Sequence, residues 1–93
     1  MNDLFVLVHK VRGLPWEATA MDLCKFFREC DIVGGPSGIY FCQDDRGRPT
    51  GEAFIEMERQ EDVDRALDKH RQNMGRRYLN ITVSRKFVYK SFF

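Results

Sequence analysis

Apolar residues recur along the chain with two different periods, and the switches between them predict the elements. Phe5 to Val11 is rich in β-branched and aromatic residues and predicts a strand, closed by the turn-forming Arg12-Gly13-Leu14-Pro15-Trp16. Thr19 precedes a helical pattern with Asp22 three positions on, a capping-box variant. Leu23, Phe26, Phe27 and Cys30 then fall at i, i+3, i+4 and i+7, one apolar face of a helix. Gly34-Gly35-Pro36 breaks the chain, Gly38 to Cys42 predicts a second strand, Asp44 to Pro49 a loop, and Glu52 to Glu58 alternates as a third strand. A second helix is expected from about Gln60 to His70, with Val63, Ala66, Leu67 and the stem of His70 as its apolar stripe. Asn73-Met74-Gly75 ends it, and Tyr78 to Val83 alternates as the fourth strand.

The order β-α-β-β-α-β predicts an α+β, ferredoxin-like sandwich: a four-stranded antiparallel sheet with two helices on one face. The 93 residues suffice for one domain, taken as residues 1–84, with residues 85–93 a basic-aromatic tail placed to cover the sheet. Fifteen Lys and Arg against fourteen Asp and Glu leave a net charge of +1, which excludes a uniformly basic arm but permits a local basic patch. Cys24, Cys30 and Cys42 show no close C-x-x-C spacing and are expected as reduced thiols. With His9 and His70 the only histidines, no metal or cofactor is expected, and His9 reads as a buried structural imidazole. The apolar run Leu4 to Val8 is too short to cross a bilayer, and Asp3 ahead of it, with no basic leader, argues against a secretory signal.

The third strand carries the first chemical hint. RNA recognition motifs use this plan and place aromatic residues on the third strand to stack bases. Here the segment reads Thr50-Gly51-Glu52-Ala53-Phe54-Ile55-Glu56-Met57, with Ala53, Ile55 and Met57 facing the core. Glu52 stands where a stacking aromatic is expected, Glu56 adds a second negative charge, and Lys10 replaces the aromatic of the first strand. Stacking is worth about 1–3 kcal/mol per base and carboxylates repel phosphate, so the sheet face is expected to be a poor RNA platform. Phe54 is expected to be covered by another part of the chain; Phe87, Tyr89, Phe92 and Phe93 crowd the tail, and Val6 and Val8 face outward on the first strand.

The loops are different. Basic and flat residues gather in three of them: Arg12 with Trp16, Arg46 with Arg48, and Arg76 with Arg77 and Tyr78. The acidic residues, among them Asp22, Glu61, Asp62, Asp64 and Asp68, fall mostly on helical or strand positions, and this segregation gives a basic site on a nearly neutral protein. Each guanidinium is a planar fork suited to phosphate or to O6 and N7 of guanine, while Trp16 and Tyr78 offer faces to unstacked bases. The structural alternatives are Trp16 capping the core under Pro15, Arg46 and Arg48 as solvated turn charges, and Tyr78 as a strand-end packing residue.

Together, Arg12-Gly13-Leu14-Pro15-Trp16, Arg48 with Thr50-Gly51-Glu52-Ala53-Phe54, and Met74-Gly75-Arg76-Arg77-Tyr78 resemble the quasi-RNA recognition motifs of the heterogeneous nuclear ribonucleoprotein F/H family. The G-rich sequence factor and epithelial splicing regulatory proteins are similar relatives. The resemblance covers Val8 to Val83 and implies binding of guanine runs in single-stranded RNA through loops, in splicing or other RNA processing. It implies a guanine cage of Arg12, Trp16, Arg48, Arg77 and Tyr78, with secondary contacts from Lys10, Arg46 and Arg76. The implied partners are single-stranded G-rich RNA and other RNA-processing proteins, with no membrane and no metal, in the nucleus and, as an extension, the cytoplasm. Asn80 stands where the family commonly has a glutamate, and His9 occupies an apolar strand position.

Two other function classes are open to this plan. Acylphosphatases hold phosphate with an arginine after the first strand, but Leu14-Pro15-Trp16 does not match their loop and no nucleophile-base spacing occurs, so no catalysis is expected. The alternative to RNA binding is a protein-interaction module, docking through the helices or the tail-covered sheet, with weak or no RNA binding.

Overall fold

A computed structural model of the chain describes residues 5–87. Its main sheet is built from β1 (Phe5–Arg12), β2 (Ile39–Gln43), β3 (Pro49–Glu56) and β6 (Asn80–Phe87), all antiparallel, in the order β2-β3-β1-β6. Because strand side chains alternate, the register decides which residues share a face. Val11 opposes both Ala53 and Ile81, and these three pack with Leu23 from α1 (Ala20–Phe26), Phe27 just beyond it, and Val63 and Ala66 from α2 (Gln60–Leu67) in one core. The two helices therefore lie on one face, and the β-α-β-β-α-β plan stands.

Helix α1 (Ala20–Phe26) begins where the sequence placed its cap. The Thr19 Oγ1 accepts from the Asp22 N–H at 3.2 Å, and the Asp22 carboxylate accepts from the Thr19 N–H at 2.9 Å. The helix is shorter than its apolar pattern, which reached Cys30. Phe27 already has non-helical dihedrals, and Cys30 N–H bonds back to the Phe27 carbonyl at 2.8 Å in the turn that follows. Both side chains stay buried, so the pattern tracked the core beyond the helix itself.

Two expectations need correction. Helix α2 ends at Leu67, and its buried face is turned toward Asp62, Val63 and Ala66, leaving Leu67 and His70 exposed. His70 instead accepts the Ile81 N–H on Nδ1 at 2.9 Å. Asp62, which is not part of the stripe expected from sequence, is fully buried, paired with Arg65 at 3.2 Å and Arg59 at 3.4 Å; a buried carboxylate persists only with such partners. Finally, Asn73-Met74 does not merely end the helix. It forms β4 (Asn73–Met74), which pairs with β5 (Arg77–Tyr78) around Gly75, in a left-handed conformation, so Tyr78 belongs to this hairpin and the main strand starts at Asn80. Strand β3 likewise starts at Pro49 and ends at Glu56.

On the open face of the sheet, Phe54 is half-buried and the Lys10 ammonium lies 5.7 Å from its ring centroid. Val8 is only 6% exposed although it sits on this face and outside the helix-side core cluster. Tyr89, Phe92 and Phe93, proposed from sequence as the cover, lie outside the described residues; the backbone pairing of β6 continues through Arg85 to Phe87.

His9 is fully buried, as expected. Its Nε2 donates to the Val63 carbonyl at 3.1 Å, tying β1 to α2, and a carbonyl can only accept, so this nitrogen carries the proton. Nδ1 lies near the Thr82 backbone without a hydrogen bond of ordinary geometry. Burial holds the His9 pKa below 6.5, opposed by its backbone partners. The unfolded chain therefore binds the extra proton first, and stability falls as pH drops below about 6.5. The carboxylates held low by hydrogen bonds, Asp22, Glu29 and Asp44, lose their contributions only in more acid solution. Urea unfolding at pH 7.5 and 5.5 is expected to show a lower midpoint at 5.5, with the difference greatly reduced in His9→Gln; an equal difference in both proteins would assign it elsewhere.

Candidate nucleic-acid interface

A basic cleft forms where the β1–α1 loop meets β3 and the β4–β5 hairpin. Two glycines allow the approach. Gly13 has φ +90°, and a Cβ there would stand 2.6 Å from the Tyr78 carbonyl oxygen, so the loop presses directly on the end of β5. Gly51, with φ +86°, accepts the Leu14 N–H on its carbonyl at 3.0 Å and fixes the same loop to β3. Leu14 is 3% exposed and anchors the loop in the core, leaving Trp16 outside at 77% exposure. Trp16 therefore does not cap the core.

The result is an open cleft of about 360 Å³, with Arg12, Trp16, Thr50, Glu52 and Arg77 among its lining residues. Arg12, Trp16 and Arg77, separated in sequence, are brought together. Arg12 Nε lies 3.6 Å from the Glu52 carboxylate across β1 and β3, and no ion pair among the described residues engages Arg77. Tyr78 follows Arg77 and is 68% exposed, so it is not packed into the strand end, but it does not line the cleft.

Arg48 is not brought to this wall. Asp44 captures it: the Asp44 carboxylate accepts the Arg46 and Arg48 backbone N–H groups, both at 2.9 Å, and the Arg48 Nε at 3.1 Å. These bonds, the backbone ones foremost, hold the Asp44 carboxyl below the usual range. The β2–β3 loop is thus an Asp-organised turn with Arg46 and Arg48 on its exposed surface. Lys10 belongs to the sheet face beside Phe54 and lies 3.7 Å from Glu52; Arg76 sits exposed in the hairpin turn.

Glu52 has a place that sequence reasoning missed, because its charge reads first as repulsion of phosphate. Lys10 and Arg12 lie two apart on one strand and so share a face; once β1 and β3 pair, Glu52 stands opposite Arg12 and diagonal to Lys10, and its carboxylate meets both. A larger cleft of about 640 Å³ lies elsewhere, lined by Cys24, Arg28, Asp31, Glu58 and Arg59 among others. Its Arg59 is already engaged by Asp31, Glu61 and Asp62, and Arg28 by Glu29, which leaves less charge for an anionic ligand. Among the described residues no cluster of His, Cys, Asp and Glu could hold a metal, and no helix is long and apolar enough to cross a membrane.

Comparison with known proteins bears on this geometry. The RRM domain family matches residues 9–87. Human heterogeneous nuclear ribonucleoprotein H2 is 50% identical over 74 residues, which cover 80% of this chain and 16% of that protein. Human heterogeneous nuclear ribonucleoprotein H is 47% identical over the same coverage. The chain thus spans about a sixth of these relatives. The crystal structure of a human G-rich RNA sequence binding factor superposes with TM-score 0.82 at 41% identity, covering 88% of this chain and 82% of that one. The crystal structure of the Glorund qRRM2 domain gives 0.80 at 43% identity, covering 85% and 89%.

Proposed function

We propose that this chain, which belongs to the RRM domain family and is related to the quasi-RNA recognition motifs of heterogeneous nuclear ribonucleoprotein H, binds single-stranded guanine-rich RNA through its loops. The family is non-enzymatic and RNA-binding, so the phosphatase reading of Arg12 falls away. What carries the loop reading is the meeting of Arg12, Trp16 and Arg77 on one cleft while Lys10 and Glu52 occupy the sheet positions where bases would stack. The relative named for binding G-rich RNA sequence supports guanine as the preferred base. Tyr78, exposed next to Arg77 but outside the cleft, offers a second stacking face, and Arg46, Arg48, Arg76 and Lys10 supply outlying phosphate contacts. By relation to the heterogeneous nuclear ribonucleoproteins, the setting is nuclear RNA processing, with other processing factors as further partners.

A free base exposes edges and faces that a duplex hides, and an A-form major groove is too deep and narrow for these loops. Titration of G-run, A-run and U-run oligonucleotides, in lithium salt to keep the G-run single-stranded, tests the reading. The G-run is expected to bind tightest and duplex weakest. With about three phosphates neutralised, log affinity should fall with log salt at a slope of about −2. Equal affinity for all three runs would leave only a basic patch.

A further inference from the structure

Glu52 stands at the junction of two hollows. It lines the 360 Å³ cleft with Arg12 and Arg77, and also a narrower slot of about 70 Å³ formed with Leu14, Trp16 and Phe41. Its carboxylate is oriented but not consumed. Oε1 lies 3.7 Å from the Lys10 ammonium and Oε2 3.6 Å from Arg12 Nε, both beyond hydrogen-bond length, and among the described residues no hydrogen bond closes on either oxygen. The two flanking cations offset its repulsion of a phosphate chain, while the side chain remains 31% exposed. A simple counter-ion for Arg12 has no need to sit on the cleft wall beside a free guanidinium and an exposed indole.

A carboxylate with two open acceptors recognises two adjacent donors. Of the four RNA bases, only guanine has them side by side on its Watson–Crick edge, at N1–H and the N2 amino group. Adenine and cytosine set an acceptor beside their amino donor, and uracil flanks its one N–H with two carbonyls, so each would face the carboxylate with an unfavourable lone pair. Meanwhile the forks of Arg12 and Arg77 suit O6 and N7 on guanine's other edge. We infer that Glu52 is the specificity-determining residue of the cleft, accepting N1–H and N2–H of a guanine whose neighbouring O6/N7 edge faces the arginines. The inference rests on the guanine-binding reading above and deepens it.

Binding of four short RNAs to the wild-type protein and to Glu52→Gln separates the possibilities: a G-run, the same run with inosine, the same run with 7-deazaguanine, and an A-run. Inosine lacks the N2 amino group, and 7-deazaguanine lacks N7. In the wild type, inosine is expected to weaken binding about tenfold. Glu52→Gln should weaken the G-run at least as much and then show almost no further loss with inosine, while 7-deazaguanine costs both proteins alike. Matching circular dichroism melts check that the isosteric variant folds, and the inosine arm on wild type needs no variant. Wild type binding inosine as well as guanine, or Glu52→Gln still losing the full inosine factor, would overturn the assignment and leave Glu52 a positioning group for Arg12. A wild type that binds the A-run as tightly as the G-run would instead overturn the guanine reading itself, before Glu52 enters.

Discussion

Gly13→Ala is expected to lower folding stability by about 2–4 kcal/mol and to reduce RNA affinity in the fraction that stays folded. Two costs combine. A left-handed backbone is unfavourable for any residue with a Cβ, at about 1 kcal/mol. The new methyl would also meet the Tyr78 carbonyl oxygen at 2.6 Å, a backbone atom followed directly by the fully buried Leu79, so neither side yields easily. Relief requires the β1–α1 loop to lift from the hairpin, which separates Arg12 and Trp16 from Arg77. Gly75→Ala is the control: its φ is +62°, but nothing lies within 4 Å of the added methyl, so only the conformational cost applies. Urea unfolding of both variants measures the difference. If Gly13→Ala is no less stable than Gly75→Ala, the close approach contributes nothing.

The contact between Gly13 and Tyr78 also marks where sequence reading ends. Strands β1 and β3 and the Thr19 cap were legible because each writes a local signal: alternation over several residues, or an acceptor three positions before a carboxylate. The β4–β5 hairpin was not, since strands of two residues leave no period to detect. Helix α2 gave the right element with a misjudged face: an apolar stripe selects Leu67 and His70, whereas the buried face takes in Asp62, whose charge is met by Arg59 and Arg65. The site divides the same way. Arg12, Trp16 and Arg77 could be picked out by residue type, but their meeting depends on two glycine approaches between segments far apart in the chain. Arg48 looked equivalent to them, yet Asp44 four residues earlier holds its side chain in the β2–β3 loop. An Asp-x-Arg-x-Arg turn carries that signal, since Asx side chains commonly accept nearby backbone N–H groups.

This division ranks the arginines. Arg77→Ala is expected to lose about 1–3 kcal/mol of RNA binding, because its guanidinium lines the cleft with no ion pair among the described residues to compete for it. Trp16→Ala should lose a similar amount, about 1–3 kcal/mol, by removing a stacking face. Both side chains are exposed, Trp16 by 77%, so neither variant should shift the thermal midpoint appreciably. Arg48→Ala should cost less than Arg77→Ala, since binding through Arg48 must first compete with its bonds to Asp44. Arg77→Lys distinguishes the two jobs a guanidinium can do. Lysine keeps the charge but not the fork, so an arginine that reads a guanine edge is restored only in part, with the salt slope of the variant nearly unchanged. An arginine that only neutralises phosphate would be restored almost fully by lysine, and Arg77→Ala would flatten the salt slope by about 0.7. The loop reading fails if Trp16→Ala and Arg77→Ala bind G-run RNA as the wild type does while Phe54→Ala, still folded, does not, for the sheet would then be the platform despite Lys10 over its ring and Glu52 beside it.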